Sequence, residues 1–210
     1  MPGTELLAPL GCGVTTGAGA VLNAFEVGAG SSIAVFGTGA VGMAAVMAGR
    51  AAGAATIIGV DVVPSRLLLA AELGTTHVID VREQDVRERI GEITGAGVDY
   101  VVETTGRPEM AALAAEVLAP LGTAGLIGMP NPGVTIPLDQ LPLMIGESSV
   151  RGIVQGDAIP QLFVPRLIEM YRAGAFPFDR VVRFYDFDQI NQAVADAQSG
   201  AVVKPVLRIA

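Results

Sequence analysis

Tryptophan is absent from these 210 residues, and cysteine and histidine occur once each. The single cysteine, Cys12, excludes an internal disulfide and fits a reducing, cytoplasmic setting. Charged residues make up 16% of the chain, the net charge is −8, and no basic run exists. A nucleic-acid backbone is thereby excluded as a partner. No basic leader with an apolar core and a cleavage site opens the chain, so no secretory signal is expected. Residues 27–49 carry no charge and are long enough to span a membrane. A glycine turn falls in their middle, however, and β-branched residues cluster before it. A buried strand, turn and helix explains the apolarity, and no membrane partner is expected.

What is present is apolar and small. Hydrophobic residues make up 51% and glycine fills 27 positions. That composition excludes disorder and suits helices packed closely on a sheet. The length fits one large domain, or one with a small appendage. The organising stretch is Ser32 to Ala45, which reads as a strand, a glycine turn and a helix start. Gly37, Gly39 and Gly42 form G-x-G-x-x-G, the dinucleotide fingerprint. Gly37 allows the tight turn, Gly39 lets a pyrophosphate approach the backbone, and Gly42 lets the helix pack against the strand. The free N–H groups of the first helical turn, from Ala40 and Val41 onward, face the phosphates.

Strands are expected at 33–36, 56–61, 77–80, 98–105, 123–129 and 149–154. Helices are expected at 18–25, 41–52, 65–73, 84–94, 108–118 and 159–173, with Thr15 or Thr16 capping the first. Residues 130–142 read as loop. Continuous apolar strands alternating with helices predict an α/β fold. It is a doubly wound Rossmann sheet of about six parallel strands with helices on both faces. Asp61 closes the second strand, nineteen residues after Gly42. A βαβ unit places there the acid that receives the adenosine ribose hydroxyls. A carboxylate would repel a 2′-phosphate, so NAD is favoured over NADP. The ligand is expected outside the carboxyl ends of the strands, beside Gly37 to Val41, Asp61, Thr104 to Gly106, and Gly128 with Met129. After residue 174 the pattern changes to strand residues with charges, an amphipathic helix at 187–198 and a last strand at 202–209. The expected division is a dinucleotide-binding domain at 1–174, opening with a junction remnant at 1–17, and a return segment at 175–210.

Several pieces together resemble the cofactor-binding half of the zinc-dependent alcohol dehydrogenases, in the medium-chain dehydrogenase/reductase superfamily. They are Gly11-Cys12-Gly13-x-x-Thr16-Gly17, Val35 to Gly42, Ile57 to Asp61, Asp99 to Glu103, and Ser199-Gly200. They run over nearly the whole chain, and the nearest likeness is to the aryl or benzyl alcohol branch. The resemblance implies roles residue by residue. Cys12 would be one of three protein ligands of a catalytic zinc, and Thr16 would lie beside the nicotinamide. Asp61 and Arg66 would contact the adenosine ribose. Thr104, Thr105, Ile127, Gly128 and Met129 would wall the nicotinamide side, and Lys204 would meet the pyrophosphate. It also implies a homodimer paired along the sheet edge at Val150 to Val154, helped by Leu138 to Ile145.

The departure from the family is large. A catalytic zinc needs about three protein ligands, and this chain has one Cys and one His. His77 precedes the short third strand and reads as a surface or structural residue. The four-cysteine structural zinc site and the proton relay are also missing. The expectation is a piece of a longer dehydrogenase that binds NAD, holds no zinc and contains no catalytic residue. The longer protein would interconvert an alcohol and its aldehyde or ketone. Two other readings remain: a zinc-free quinone or enone reductase of the same superfamily, and a non-catalytic NAD-binding module. Cys12 and Asp61 argue against the first, and an exposed apolar face argues against the second.

Overall fold

The computed structural model describes residues 3–209. Six parallel strands form one sheet in the order β3-β2-β1-β4-β5-β6. They are β1 (Ser32–Phe36), β2 (Thr56–Asp61), β3 (His77–Asp80), β4 (Val98–Glu103), β5 (Leu118–Leu126) and β6 (Ser149–Gly152). That order is the doubly wound Rossmann arrangement, and the chain reverses direction across the sheet between β1 and β4.

Neighbouring β1 residues face opposite layers. Ile33 and Val35 join the core beneath α1 (Gly13–Gly19), α2 (Ala40–Ala52), α3 (Pro64–Leu73) and α7 (Pro160–Arg172). Ala34 and Phe36 join the core beneath α4 (Val86–Thr94) and α5 (Pro108–Glu116). With both faces covered, the middle of a central strand is apolar on both sides, and polar residues such as Asp61 and Glu103 come at its end. This is why residues 27–49 resemble a membrane span: they are a turn, β1, the glycine turn and most of α2. Among the described residues no single helix is long and apolar enough to cross a membrane.

Several boundaries differ from the sequence reading. The helix expected from residue 18 begins at Gly13, after a 3-10 helix at Thr4–Gly11, and ends in a π turn at Ala20–Ala24. Thr15 and Thr16 therefore lie inside it and do not cap it. Their hydroxyls donate back to the carbonyls of Leu10 and Cys12. Glycines at 11, 13 and 17 hide this helix from propensity, and packing against α2 imposes it. β4 stops at Glu103, two residues early, because that carboxylate turns the following N–H groups back on itself. β5 begins at Leu118, pairs once with Val98, then loops out before its regular ladder starts at Thr123. β6 ends at Gly152. A short helix, α6 (Gln140–Ile145), interrupts the expected loop, and the Asp139 carboxylate caps it by accepting the Leu141 N–H.

The chain closes with β7 (Val182–Asp186), α8 (Ile190–Ser199) and β8 (Lys204–Arg208). β7 and β8 pair in parallel as a separate two-stranded sheet. Phe176, Phe178 and Val181 are buried in the same cluster as Met43 and Val35, so the main core continues past residue 174.

Candidate functional site

The glycine turn leaves β1 at the point where the sheet order reverses. Gly37 has φ +85°, and its N–H donates to the Val60 carbonyl at 2.8 Å. The Thr104 hydroxyl, from the end of β4, lies 2.8 Å from the Phe36 carbonyl and 2.9 Å from that of Gly37. A side chain at Gly37 would meet this hydroxyl at 2.6 Å. Gly39 precedes α2 and brings no capping side chain, so the first N–H groups of that helix remain available. A Cβ built on Gly39 would meet nothing within 4 Å, because it would project into open space. Backbone donors beside an open, side-chain-free approach fit a pyrophosphate.

These elements border a groove of about 380 Å³ at the carboxyl ends of the strands. Gly37, Gly39, Asp61, Arg66, Thr104 and Thr105 line it, all of them expected there. Val62, Val81, Arg107 and Met110 line it as well and were not anticipated. Arg107 follows Gly106 at the exit of β4, so its place beside Thr104 and Thr105 could have been read. Val81 follows the third strand, whose exit was not weighed.

Asp61 is 7% exposed, and its carboxylate accepts four hydrogen bonds from the protein. The Thr38 N–H and hydroxyl reach Oδ2 at 2.6 and 2.8 Å. The Val62 and Val63 N–H groups reach Oδ1 at 2.7 and 2.9 Å. Thr38 itself is fully buried. Glu103 is a second buried acid. Its Oε1 accepts the Thr105 N–H and hydroxyl at 2.6 and 2.5 Å, and its Oε2 accepts the Gly106 N–H at 3.2 Å. It thus shapes the loop that Thr104, Thr105 and Arg107 present to the groove. Arg66 donates to the Ala197 carbonyl of α8 at 3.3 Å, and its Nε is buried without a partner.

The other expected residues are placed elsewhere. Ala40, Val41 and Gly42 form the first turn of α2 behind the groove, with Gly42 packed against Gly37. Cys12 and Thr16 open α1, whose Gly17 lies against the Val41 carbonyl, so the starts of α1 and α2 meet. Cys12 is exposed. Gly128 presses on Gly106, bringing the exits of β4 and β5 together, while Met129 is 94% exposed and Ile127 packs against the main core. Lys204 pairs with Val182 in the two-stranded sheet and does not line the groove. His77 starts β3, exposed, with Nδ1 3.0 Å from the Thr76 hydroxyl. Among the described residues no three His, Cys, Asp or Glu side chains converge. Cys12 offers one thiol, and this chain's described residues do not compose a zinc site.

A 3-2-1-4-5-6 parallel sheet with a G-x-G-x-x-G turn at its reversal point defines the Rossmann class of dinucleotide-binding folds. Within that class, the zinc-binding dehydrogenase model matches residues 40–171, and the chain belongs to that family. A geraniol dehydrogenase of Castellaniella defragrans is 43% identical over 204 residues, covering 97% of this chain and 55% of that protein. The crystal structure of an alcohol dehydrogenase zinc-binding domain protein from Burkholderia ambifaria superposes with a TM-score of 0.96. It is 54% identical and covers 98% of this chain and 56% of that one. The benzyl alcohol dehydrogenase of Acinetobacter calcoaceticus gives the same TM-score at 46% identity, covering 98% and 57%. The chain spans about half the length of the relatives it matches.

Proposed function

We propose that this chain is the NAD(H)-binding part of a zinc-dependent alcohol dehydrogenase. One observation carries the reading: Asp61, at the exit of β2, shares a groove with the glycine turn of β1. It supports the reading of Asp61 as an anionic acceptor for ribose hydroxyls beside backbone donors for a pyrophosphate. A bound nicotinamide dinucleotide would supply the hydride acceptor for oxidation of the alcohol carbon. The chain's part is to bind and orient. The first turn of α2 faces the phosphates, and Asp61 with Arg66 faces the ribose. Thr104 and Thr105 wall the groove where the exits of β1 and β4 meet. Cys12 and Thr16 stand at the start of α1, next to that of α2. In this reading Cys12 contributes one ligand to a zinc whose other ligands, and the substrate pocket, lie outside these 210 residues.

The names of the relatives support an alcohol as substrate of the longer protein and an aldehyde or ketone as product. The proposal divides the chain at 174, with 175–210 returning to the part that carries the substrate. It includes a cytoplasmic setting, which the single cysteine supports, and a homodimer paired along β6. That strand is the sheet edge, and Leu141, Met144 and Ile145 beside it in sequence are 57–71% exposed.

The test is a titration of the purified chain with NADH, followed by the cofactor's own fluorescence, which no tryptophan obscures. Saturable binding, weakened about tenfold or more by Asp61→Asn, is expected. Failure to bind NADH would overturn the reading. Zinc-dependent alcohol oxidation by this chain alone would overturn the assignment of the remaining zinc ligands to other residues.

A further inference from the structure

A carboxylate has about four preferred acceptor positions, and four donors of the protein already bond to Asp61, so a ribose hydroxyl there must share an oxygen with them. Three are backbone N–H groups, from Thr38, Val62 and Val63. They are fixed by the fold and hold the carboxylate in place from both oxygens. The fourth is the Thr38 hydroxyl, 2.8 Å from Oδ2. This hydroxyl is not needed to orient Asp61, since the N–H of the same residue already grips the same oxygen at 2.6 Å. Its effect is to draw electron density from Oδ2, which leaves that oxygen a weaker acceptor for any further hydroxyl.

We propose that Thr38 is a positioning residue that limits, through Asp61, how strongly the groove prefers NADH over NADPH. The proposal rests on the reading of Asp61 as the ribose acceptor. A carboxylate discriminates in two ways: it accepts the 2′-hydroxyl, and it repels a 2′-phosphate. Both weaken when a further donor sits on it. Arg66 and Arg107 line the same groove and bring positive charge to it, Arg107 with Glu109 at 3.6 Å and Arg66 held on the Ala197 carbonyl, which favours a phosphate. A groove lined by two arginines and an acid already bonded to four donors takes both dinucleotides and prefers NADH modestly. The sequence suggested a stricter preference, because the acid was visible at Asp61 and its partner was only an unassigned position between two glycines.

Thr38 is completely buried, and its methyl group faces Gly59. Thr38→Val keeps the branched shape and removes the hydroxyl, Thr38→Ala removes both branches, and Thr38→Ser keeps the hydroxyl alone. The readout is the ratio of the NADPH to the NADH dissociation constant, which does not depend on the fraction of protein folded. Wild type is expected to bind both, with a ratio above one. Thr38→Val and Thr38→Ala should raise that ratio by about fivefold, the weight of one ordinary hydrogen bond. Thr38→Ser should stay near wild type, and Asp61→Asn should bring the ratio down to one or below. If Asp61→Asn lowers the ratio but neither Thr38→Val nor Thr38→Ala raises it, the inference about Thr38 is overturned and the ribose reading stands. An equal loss of both affinities in the Thr38 variants overturns it too, since that is the mark of a purely structural role. If wild type binds neither dinucleotide, or Asp61→Asn leaves the ratio unchanged, the reading of Asp61 fails first and takes this inference with it.

Discussion

Two glycines of α2 should respond in opposite directions to the same substitution. A Cβ on Gly42 would sit 1.9 Å from the Gly37 carbonyl oxygen and 2.9 Å from its carbon. Real Cβ contacts stay beyond 3.0 Å, so Gly42→Ala forces the helix and the turn apart by about 1 Å or more. The obstacle is backbone held by the β1–β4 ladder and the Thr104 hydroxyl, and no side-chain rotation relieves it. Overpacking of this kind costs about 3 kcal/mol. Alanine in place of glycine in a helix returns about 1 kcal/mol, leaving a net loss of about 2 kcal/mol. At Gly49 a Cβ would meet only the side chains of Ile57 and Ile33, at 3.4 Å and beyond, which is ordinary contact. Gly49→Ala should therefore keep the propensity gain of up to about 1 kcal/mol. For a chain of this size these changes correspond to a fall in Tm of about 4–8 °C and a rise of about 2–4 °C. Thermal melts followed by circular dichroism read both. Because Gly42→Ala displaces the carbonyl that Thr104 holds, it should also weaken NADH binding, and Gly49→Ala should not. Equal melting of the two variants, or a Gly42→Ala protein as stable as wild type, would refute the close-approach argument.

Glu103→Gln replaces a buried acceptor of three hydrogen bonds by a group that faces one of those donors with its own NH₂. A loss of about 1–3 kcal/mol in urea denaturation is expected, with weaker NADH binding as the Thr105–Arg107 loop loosens. The Tyr185 hydroxyl donates to Asp196 at 2.6 Å, and with Gln192 and Arg183 it holds that carboxyl below the usual carboxylate range. A depressed folded value contributes stability that is present above the unfolded value of about 3.9. That stability is lost as pH falls through the folded value. Tyr185→Phe should therefore flatten the acid limb of Tm against pH below about pH 4. Partial burial and the Asp196 hydrogen bond push the Tyr185 phenol up, so the same variant should also change the alkaline limb above about pH 10. Ile145→Asp places a charge in the exposed apolar stretch near β6 and should convert the proposed dimer to a monomer in sedimentation velocity. An unchanged sedimentation coefficient would remove that edge as the interface.

The middle of the sheet was legible because Ile33 to Phe36 and Ile57 to Val60 are apolar on both faces, as strands covered by helices on both sides must be, whereas the edge strands β3 and β6 carry exposed His77, Ser149 and Arg151. The glycine turn and Asp61 were legible because they lie at strand exits in a fixed spacing. The residues that were missed act through partners distant in sequence. Thr38 is unremarkable until Asp61, 23 residues on, is brought to its hydroxyl. Glu103 looked like the interior of a strand, but its carboxylate ends that strand. Thr15 and Thr16 looked like caps because a sequence pattern does not show that α1 packs on α2, which extends the helix back to Gly13. Arg66 looked like a free cation beside the ribose, and the fold gives it a second task that lies in α8.

That second task bears on how the two sheets depend on each other. A parallel pair such as β7 and β8 is too small to be stable by itself. It is held by the packing of α8, by the main core through Val182 and Val203, by the Arg208–Glu5 ion pair, and by contacts between the end of α8 and the start of α3. The Ser65 hydroxyl donates to the Gly200 carbonyl at 3.3 Å, Arg66 donates to Ala197 at 3.3 Å, and Gly200 sits so close to Val63 that a Cβ there would clash at 2.7 Å. These contacts lie two to five residues beyond Asp61. The N–H of Val63 is also one of the four donors on that carboxylate. The backbone that aims Asp61 at the groove is thus the same backbone on which the return segment rests. The carboxylate at the groove and the docking of residues 197–200 are two faces of one short turn, and a change at either is felt at the other.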